Sequence, residues 1–371
     1  VLLFTSCDAV KRVKKNEFLL TENSFIVNGK KNKSETISKL SFQKTNSDIL
    51  GIPVRLHIYN FARENKDSIF DSWLKKKPNR NPRYIKIFSQ KQLDKIKKTS
   101  LGLNTWLKNT GEKPEIIDSL KINKTKINLE RYYFSKGWFD RIVNFNIDTL
   151  QRQRATLEYE IKTGDPHRIG TFSSEIETSI LDSIFRQSKV KSFIKKGNQF
   201  NISDFEKERK RVNDNFRNLG IYHFSQDYIS FVNDTIGKSL EVDVKIKIAN
   251  RIVRNGDSLL QKPFKAYKIK DVNIYTDNST ENRSQVDLKK TVTYNSFNFF
   301  NYKELQYSPK SITNVIQISK GSLYSDLDKT RTYRYLNALN TFKYPSIQFT
   351  ENENDTTLTA NISVSYTHLT L

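Results

Sequence analysis

The residue types that most often perform chemistry are sparse in this sequence. It contains one cysteine and four histidines. Because Cys7 is alone, the chain can form neither an intramolecular disulfide nor a cysteine-built zinc site. The histidines lack the i,i+4 pairs and the carboxylate spacing typical of a metal site: His57, His167, His223 and His368. With no G-x-S-x-G or Walker-type loop either, we expect no catalytic residue, no metal and no cofactor, and a protein that is not an enzyme.

Cys7 has an informative position. It follows an apolar run, residues 1–6, that ends in small side chains, and the chain then turns polar and becomes basic over residues 11–15. This order resembles the end of a bacterial lipoprotein signal peptide, in which the cysteine is acylated. Several acyl chains, at about 0.8 kcal/mol per buried methylene, form a lasting anchor. We therefore expect residues 1–22 to be a signal remnant and linker with lipidation at Cys7. The alternative is an ordinary buried strand end.

The formal charge of +23 raises the question of nucleic-acid binding, since lysine and arginine release counterions from phosphate. The densest basic stretches are residues 11–15, 75–83 and 91–98. None carries an RNP-type aromatic run, a zinc-ligand spacing or a helix-turn-helix signature. A lysine-rich solvated surface is the favoured interpretation, and we expect no nucleic-acid partner.

One helical pattern occurs three times along the chain. In the clearest copy, Val212 and Phe216 share one face, and Gly220 suits a left-handed C-terminal cap. Ser203 with Glu206, and Ser325 with Asp328, predict helix starts. The equivalents of Val212, Phe216, Gly220 and Tyr222 are Leu129, Tyr133, Gly137 and Phe139 in the first copy, and Thr332, Leu336, Asn340 and Phe342 in the third.

Each of these helices is followed by two stretches in which apolar and polar residues alternate, which predicts two strands joined as a hairpin. A strand and a shorter helix precede it. The predicted order is therefore β-α-α-β-β, with a three-stranded sheet covered on one face by two helices. Before the second helix, a Gly-x-x-aromatic pattern predicts a turn with a core anchor: Gly197 with Phe200, and Gly321 with Tyr324.

These motifs, with the helix ends Gly137-Trp138-Phe139 and Gly220-Ile221-Tyr222, resemble POTRA domains of the BamA/TamA outer-membrane assembly family, a surface antigen family. Residues 49–60 and 111–118, together with Cys7, resemble its TamL-type lipoproteins. The resemblance implies an α+β fold of tandem POTRA domains. It also implies a C-terminal β-barrel, which we expect to be absent from this chain because the sequence stops at Leu371, where that barrel would begin. The predicted domains are residues 23–163 with an insertion at 49–113, residues 164–251 and residues 264–365.

The resemblance implies a periplasm-facing region at the outer membrane of a Gram-negative bacterium. Its expected partners are unfolded outer-membrane β-barrel proteins, the membrane through the lipid anchor and barrel, and a periplasmic or inner-membrane protein. Clients would be bound by β-augmentation, in which an extended peptide adds a strand to a free sheet edge. The candidate edge residues are Tyr228, Ile229, Ser230, Phe231 and Val232 in one domain, and Ile347 and Phe349 in the next. Ordinary sheet structure is the alternative for these residues.

Two other functions stay open from the sequence. A two-partner-type secretion transporter would use POTRA domains for one dedicated passenger, and a periplasmic lipoprotein enzyme would need a pocket of converging carboxylates. The 49–113 insertion, in which residues 50–58 alternate as in a strand, is interpreted as extra packing on the first domain. The alternative is a docking surface for a partner or the membrane face.

Overall fold

A computed structural model describes residues 9–65, 69, 72, 76, 89–276, 289–301, 308–339, 342–353 and 355–366. The lipidation predicted at Cys7 and the helix end predicted at Asn340 lie outside these residues. The chain divides into two compact units, Val1–Pro166 and His167–Leu371, and each is described by itself. Within the described residues, no helix combines the length and the apolar character needed to cross a membrane.

The first unit contains one mixed sheet, with helices on one face. Its elements are β1 (Leu19–Val27), β2 (Lys30–Lys31), α1 (Glu35–Ser38), α2 (Val54–Phe61), α3 (Gln90–Thr110), α4 (Ser119–Ser135), β3 (Ile142–Leu150) and β4 (Arg154–Lys162). The sheet order is β2-β1-β4-β3, with β1 parallel and β3 antiparallel to β4. Leu157 and Tyr159 of β4 are buried beneath Ile37 of α1 and Leu129 of α4. This sheet with α1 and α4 is the first module.

The second unit contains two further modules. Its elements are β5 (Arg168–Ile176), α5 (Ser179–Ser188), α6 (Ile202–Asn218), β6 (Ile229–Asp234), β7 (Glu241–Ile248), β8 (Arg251–Asn255), β9 (Ser258–Lys262), β10 (Lys268–Tyr275), β11 (Lys289–Tyr294), β12 (Phe297–Asn301), α7 (Pro309–Thr313), α8 (Asp326–Ala338), β13 (Phe342–Glu351) and β14 (Thr357–Tyr366). The second module is the sheet β5-β7-β6 with α5 and α6. The third is the sheet β11-β12-β10-β14-β13 with α7 and α8, and the hairpin β8-β9 lies between them in sequence.

The three sheets share one connection pattern. In each, the first strand of the module is parallel to the last strand, and the last strand is antiparallel to the strand before it. The first strand also carries a register shift near its start in every copy, at Leu20/Glu22, Ile169/Phe172 and Ile269/Asp271. The predicted α+β fold class and its β-α-α-β-β order are therefore confirmed. The predicted domain boundaries stay predictions.

The long helix of each module carries a buried polar side chain seven residues after its N-cap. The N-caps are Asp118, Asn201 and Ser325, and the polar residues are Thr125, Glu208 and Thr332. Each accepts a hydrogen bond from a backbone N–H that follows the short helix, at 2.9, 3.0 and 2.9 Å respectively. Because a buried N–H without an acceptor costs about 1–3 kcal/mol, this bond fixes the position of one helix relative to the other.

These bonds correct the alignment that the sequence predicted for the third copy. Counted from the N-caps, Val212 corresponds to Leu336, and Thr332 corresponds to Glu208. The reason is length: α8 has 13 residues, whereas α6 has 17. The third helix is one turn shorter, so an alignment by its C-terminal end places the apolar residues one turn out of step.

Two local predictions were wrong and one is confirmed. The capping box at Ser203 does not form, because α6 begins earlier and Asn201 accepts the hydrogen bond from the backbone N–H of Ser203. Residues 54–61 of the insertion form helix α2, not a strand, with Leu56 and Asn60 buried four residues apart. The predicted cap at Ser325 is present, since its hydroxyl accepts from the N–H of Asp328 at 3.2 Å.

Candidate functional site

The predicted edge of the second module lies at the edge of its sheet. Tyr228 ends a 3-10 turn, Gln226–Tyr228, and the strand begins at Ile229. β6 pairs with β7 on one side. Among the described residues, no strand pairs with its other side. The backbone of β6 is therefore placed where an added strand could bind.

The side chains of β6 divide between two faces. Phe231 faces the helices, since its ring centroid lies 5.1 Å from that of Phe205 and the Arg209 guanidinium lies 5.6 Å from the ring. Ser230 and Val232 alternate with it, and Val232 is 47% exposed. A bound peptide would therefore meet backbone groups and one solvated face, while the other face is already packed.

The candidate edge of the third module is β13, which contains Ile347 and Phe349. Ile347 is buried, and the Phe349 ring lies 5.0 Å from that of Tyr324. Both side chains are therefore occupied by packing. The pairing of β13 with β14 is irregular between Lys343 and Ser346, where Pro345 has no N–H to donate. The regular part of the β13 ladder is therefore residues 346–351.

The sequence did not reveal other sheet edges, among them β3 and β5, because strand order cannot be deduced from alternation alone. β3 is the edge strand of the first module, and its exposed residues include Ile142, Phe145 and Leu150. β5 is the second edge of the second module. The edge position of β3 could have been predicted, since β3 occupies the same place in the repeat as β6.

The Gly-x-x-aromatic segments cover the start of the first strand in each of the last two modules. Gly197 has φ +81° and Gly321 has φ +84°. Each glycine N–H donates to the first strand, to Ile169 O and Ile269 O respectively, at 2.7 Å in both modules. Phe200 and Tyr324 are buried after the turn, as predicted. In the first module, Ile116 forms the corresponding β-bridge with Leu19 of the first strand, and no glycine takes part.

The two Gly-x-aromatic helix ends use their aromatic residues differently. Both glycines have positive φ, +90° at Gly137 and +95° at Gly220. Phe139 packs back on its own helix, 4.9 Å from Phe134 between ring centroids. Tyr222 instead packs against the core of the third module. Phe342 begins β13 and is buried in that same core.

Tyr222 and Gly220 thus form part of a joint between the second and third modules. The Tyr222 ring centroid is 4.9 Å from that of Tyr324. The Gly220 carbonyl accepts from the Tyr267 N–H at 2.8 Å. A Cβ at Gly220 would lie 3.1 Å from Leu323 Cδ2 and 3.3 Å from Ala266 Cβ. The close approach of the two modules therefore requires glycine at this position.

Arg217, at the end of α6, connects the same joint. It forms a bidentate ion pair with Asp326. Its Nη1 donates to the carbonyls of Tyr222 and Phe224 at 2.7 and 2.8 Å. Its Nη2 donates to the Tyr324 hydroxyl at 2.6 Å. The hydrogen bond to Asp326 raises the pKa of Arg217. Burial would raise the pKa of Asp326, but hydrogen bonds from Arg217 and Tyr324 outweigh it and hold that pKa below its usual value.

The histidines do not converge. His57 belongs to the first unit, His167 and His223 belong to the second, and His368 lies outside the described residues. His223 takes part in the joint, with Nε2 2.9 Å from a Glu351 carboxylate oxygen, and burial lowers its pKa. In the part of the chain that the structure describes, no cluster of His, Cys, Asp and Glu could hold a metal ion.

Comparison with known proteins finds similar solved structures but no sequence relative. No protein-family profile matches the chain, and no curated protein matches it. The POTRA3-5 region of Haemophilus influenzae BamA is similar over 95% of this chain and 99% of its own, with 7% identity and a TM-score of 0.37. POTRA1-3 of Omp85 from Anabaena covers 70% of this chain and 85% of its own, with 10% identity and a TM-score of 0.24. CdiB from Escherichia coli covers 67% of this chain and 30% of its own, with 8% identity and a TM-score of 0.22.

Proposed function

We propose that this chain is the POTRA region of a factor that assembles or transports outer-membrane proteins, of the lipoprotein type anchored through Cys7. It faces the periplasm and acts by binding, not by catalysis. Its clients are unfolded outer-membrane β-barrel proteins, which it holds by β-augmentation and passes to a membrane-embedded barrel.

The observation that supports this proposal is the threefold repeat of one edge. In each module, the strand that precedes the last one lies at the border of its sheet, as β3, β6 and β13. Such an edge presents unpaired N–H and C=O groups along one side. Three copies of the same edge in one chain favour a protein that binds extended peptide repeatedly.

This mode of binding suits unfolded barrel strands. Their side chains vary from strand to strand, whereas their backbone groups do not. A ladder of backbone hydrogen bonds, each contributing about 0.5–1.5 kcal/mol, gives sequence-tolerant and reversible binding. The packed side chains of Phe231 and Phe349 keep the edge strands in place while their backbone stays available.

Proline substitutions on β6 test the proposal. Val232 and Asn233 are both exposed, and successive N–H groups of a strand point to opposite sides. One of Val232→Pro and Asn233→Pro therefore removes a bond to β7, and the other removes an outward N–H. We expect the variant that keeps wild-type thermal stability to bind an unfolded barrel-strand peptide about fivefold more weakly, since one hydrogen bond is lost.

The control is Val232→Thr, which keeps the N–H and should bind as the wild type does. Binding is measured by fluorescence anisotropy of a labelled peptide. Unchanged affinity in both proline variants would show that β6 is not an edge that clients use.

A further inference from the structure

The insertion of the first unit begins with an exposed apolar turn. The backbone of Ile49 and Ile52 makes two hydrogen bonds, at 2.9 and 3.1 Å, around Leu50 and Gly51. Leu50 is 98% exposed and has φ +54°, a conformation that is unfavourable for leucine. Ile49 and Ile52 are also exposed. An exposed leucine held in a strained turn gains nothing for the fold, which indicates a contact outside the chain.

Basic side chains lie on the segments next to this turn, the 49–52 turn. The Nε of Arg55 donates to Thr110 O at 3.2 Å, which brings the end of α3 to the start of α2. Residues 44–55 and 108–113 carry two carboxylates, Asp48 and Glu112. They carry four exposed basic side chains: Lys44, Arg55, Lys108 and Lys113. Exposed apolar side chains with a surplus of cations fit an anionic phospholipid surface.

The residues that follow Cys7 are attached to the same part of the insertion. Ala9 and Val10 pack with Leu56 of α2. Asn60 Nδ2 donates to Ala9 O at 3.1 Å, and Lys11 Nζ donates to Asn60 O at 3.2 Å. Ala9 and Gly51 line one cavity. Since Cys7 precedes Ala9 by two residues, chain geometry limits their separation to about 7 Å. A lipid on Cys7 would therefore hold the 49–52 turn close to the bilayer.

We propose that the 49–52 turn inserts into the anionic phospholipid surface to which the chain is anchored. This placement rests on the proposed lipidation of Cys7. Acyl chains alone tether the chain but leave the first module free to rotate, whereas a second contact fixes its orientation. The role of the insertion is thus to orient the first module against the membrane.

The test uses the single cysteine of the chain. In a Cys7→Ser background, Leu50→Cys becomes the only thiol and is labelled with an environment-sensitive dye. The label should shift to the blue with vesicles of phosphatidylcholine and phosphatidylglycerol, and should shift less with phosphatidylcholine alone. Leu259→Cys, at an exposed leucine of β9 in the second unit, is the control and should not respond.

Vesicle sedimentation gives the energetic readout in the same Cys7→Ser background. Leu50→Gly suits the positive φ and keeps the turn, so a loss of about tenfold in vesicle binding would report the missing side chain. Leu259→Gly should bind unchanged. A Leu50 label that stays in water, or that is shielded only when a protein partner is added, would overturn the inference.

Acyl labelling of Cys7 in the precursor is measured separately. If Cys7 is not acylated but the Leu50 label enters the vesicle, the membrane contact of the turn holds and the proposed anchor fails. If Cys7 is acylated and the Leu50 label stays in water, the anchor stands and the insertion of the turn is refuted.

Discussion

Arg217 shows how one side chain can connect two modules. A guanidinium presents five N–H donors in a planar fork, and here they bind a carboxylate, two carbonyls and a hydroxyl on both sides of the joint. A lysine could not satisfy this set, since it carries one point charge and three donors at a single atom. The second and third modules are therefore joined by a specific polar contact as well as by aromatic packing.

We expect Arg217→Ala to lower the free energy of unfolding of the second unit by about 2–3 kcal/mol, because Asp326 and two carbonyls lose their donor. Urea unfolding measures this change. Arg186→Ala is the matched control, since it removes an exposed arginine from an i,i+4 pair with Asp182, and it should cost less than about 0.5 kcal/mol. Equal effects of the two substitutions would contradict a structural role for the joint.

The same ion pair should make the joint sensitive to acid. The folded pKa of Asp326 lies below its ordinary value of 3.8. Its contribution to stability is therefore complete above that value and is lost as the pH falls through the folded pKa. The stability difference between the wild type and Asp326→Asn should accordingly stay constant near neutrality, begin to fall near pH 3.8, and disappear only below the folded pKa of Asp326.

At the scale of single residues, the sequence predicts helix caps and turn glycines but not all of their hydrogen-bond partners. The Ser325 cap and the positive φ of Gly197, Gly220 and Gly321 follow from residue type and spacing. Ser203 failed as a cap because the helix already begins at Ile202 with Asn201 as its N-cap, so Ser203 lies inside the first turn. The joint role of Arg217 left no signal in the sequence, since its partner Asp326 is more than a hundred residues away.

At the scale of elements, the end of α6 sets how closely the next module can approach. We expect Gly220→Ala to destabilise the second unit more than Gly321→Ala does, by about 1–2 kcal/mol. Both glycines have positive φ, so both substitutions carry backbone strain of about 1–2 kcal/mol. Only Gly220 also has side-chain atoms within 3.3 Å of the added carbon, whereas Gly321 has open space. Thermal unfolding of the two variants measures the difference. Equal losses of stability would show that the close contact between the modules at Gly220 does not contribute to folding.

Strands were predicted better than helices because their pattern is unambiguous. The alternation in β4, β7 and β14 places one fully buried face in each module, as at Leu157, Val244 and Ile362. The same reasoning was wrong for the insertion. Its alternating residues, 50–58, belong partly to an exposed turn and partly to helix α2. Sheet order, and with it the edge position of β3 and β5, depends on long-range pairing that alternation does not encode.

At the scale of the whole molecule, repetition is the strongest feature that the sequence and the structure share. The threefold β-α-α-β-β order could be predicted because each module repeats a helix face, a turn and a hairpin at similar spacing. The hairpin β8-β9 and the strands β11 and β12 could not, because they occur once and have no second copy for comparison. Their position outside the common pattern indicates that they are additions to the repeated module.

The central claim is that the second-last strand of each module binds extended peptide through its backbone. Hydrogen–deuterium exchange with and without an unfolded outer-membrane barrel peptide measures this directly. We predict that the peptide slows exchange at outward N–H groups in at least one of β3, β6 and β13, while the central strands β4, β7 and β14 do not change. Binding that leaves all three edge strands unprotected, or protects only helix surfaces, would contradict the claim.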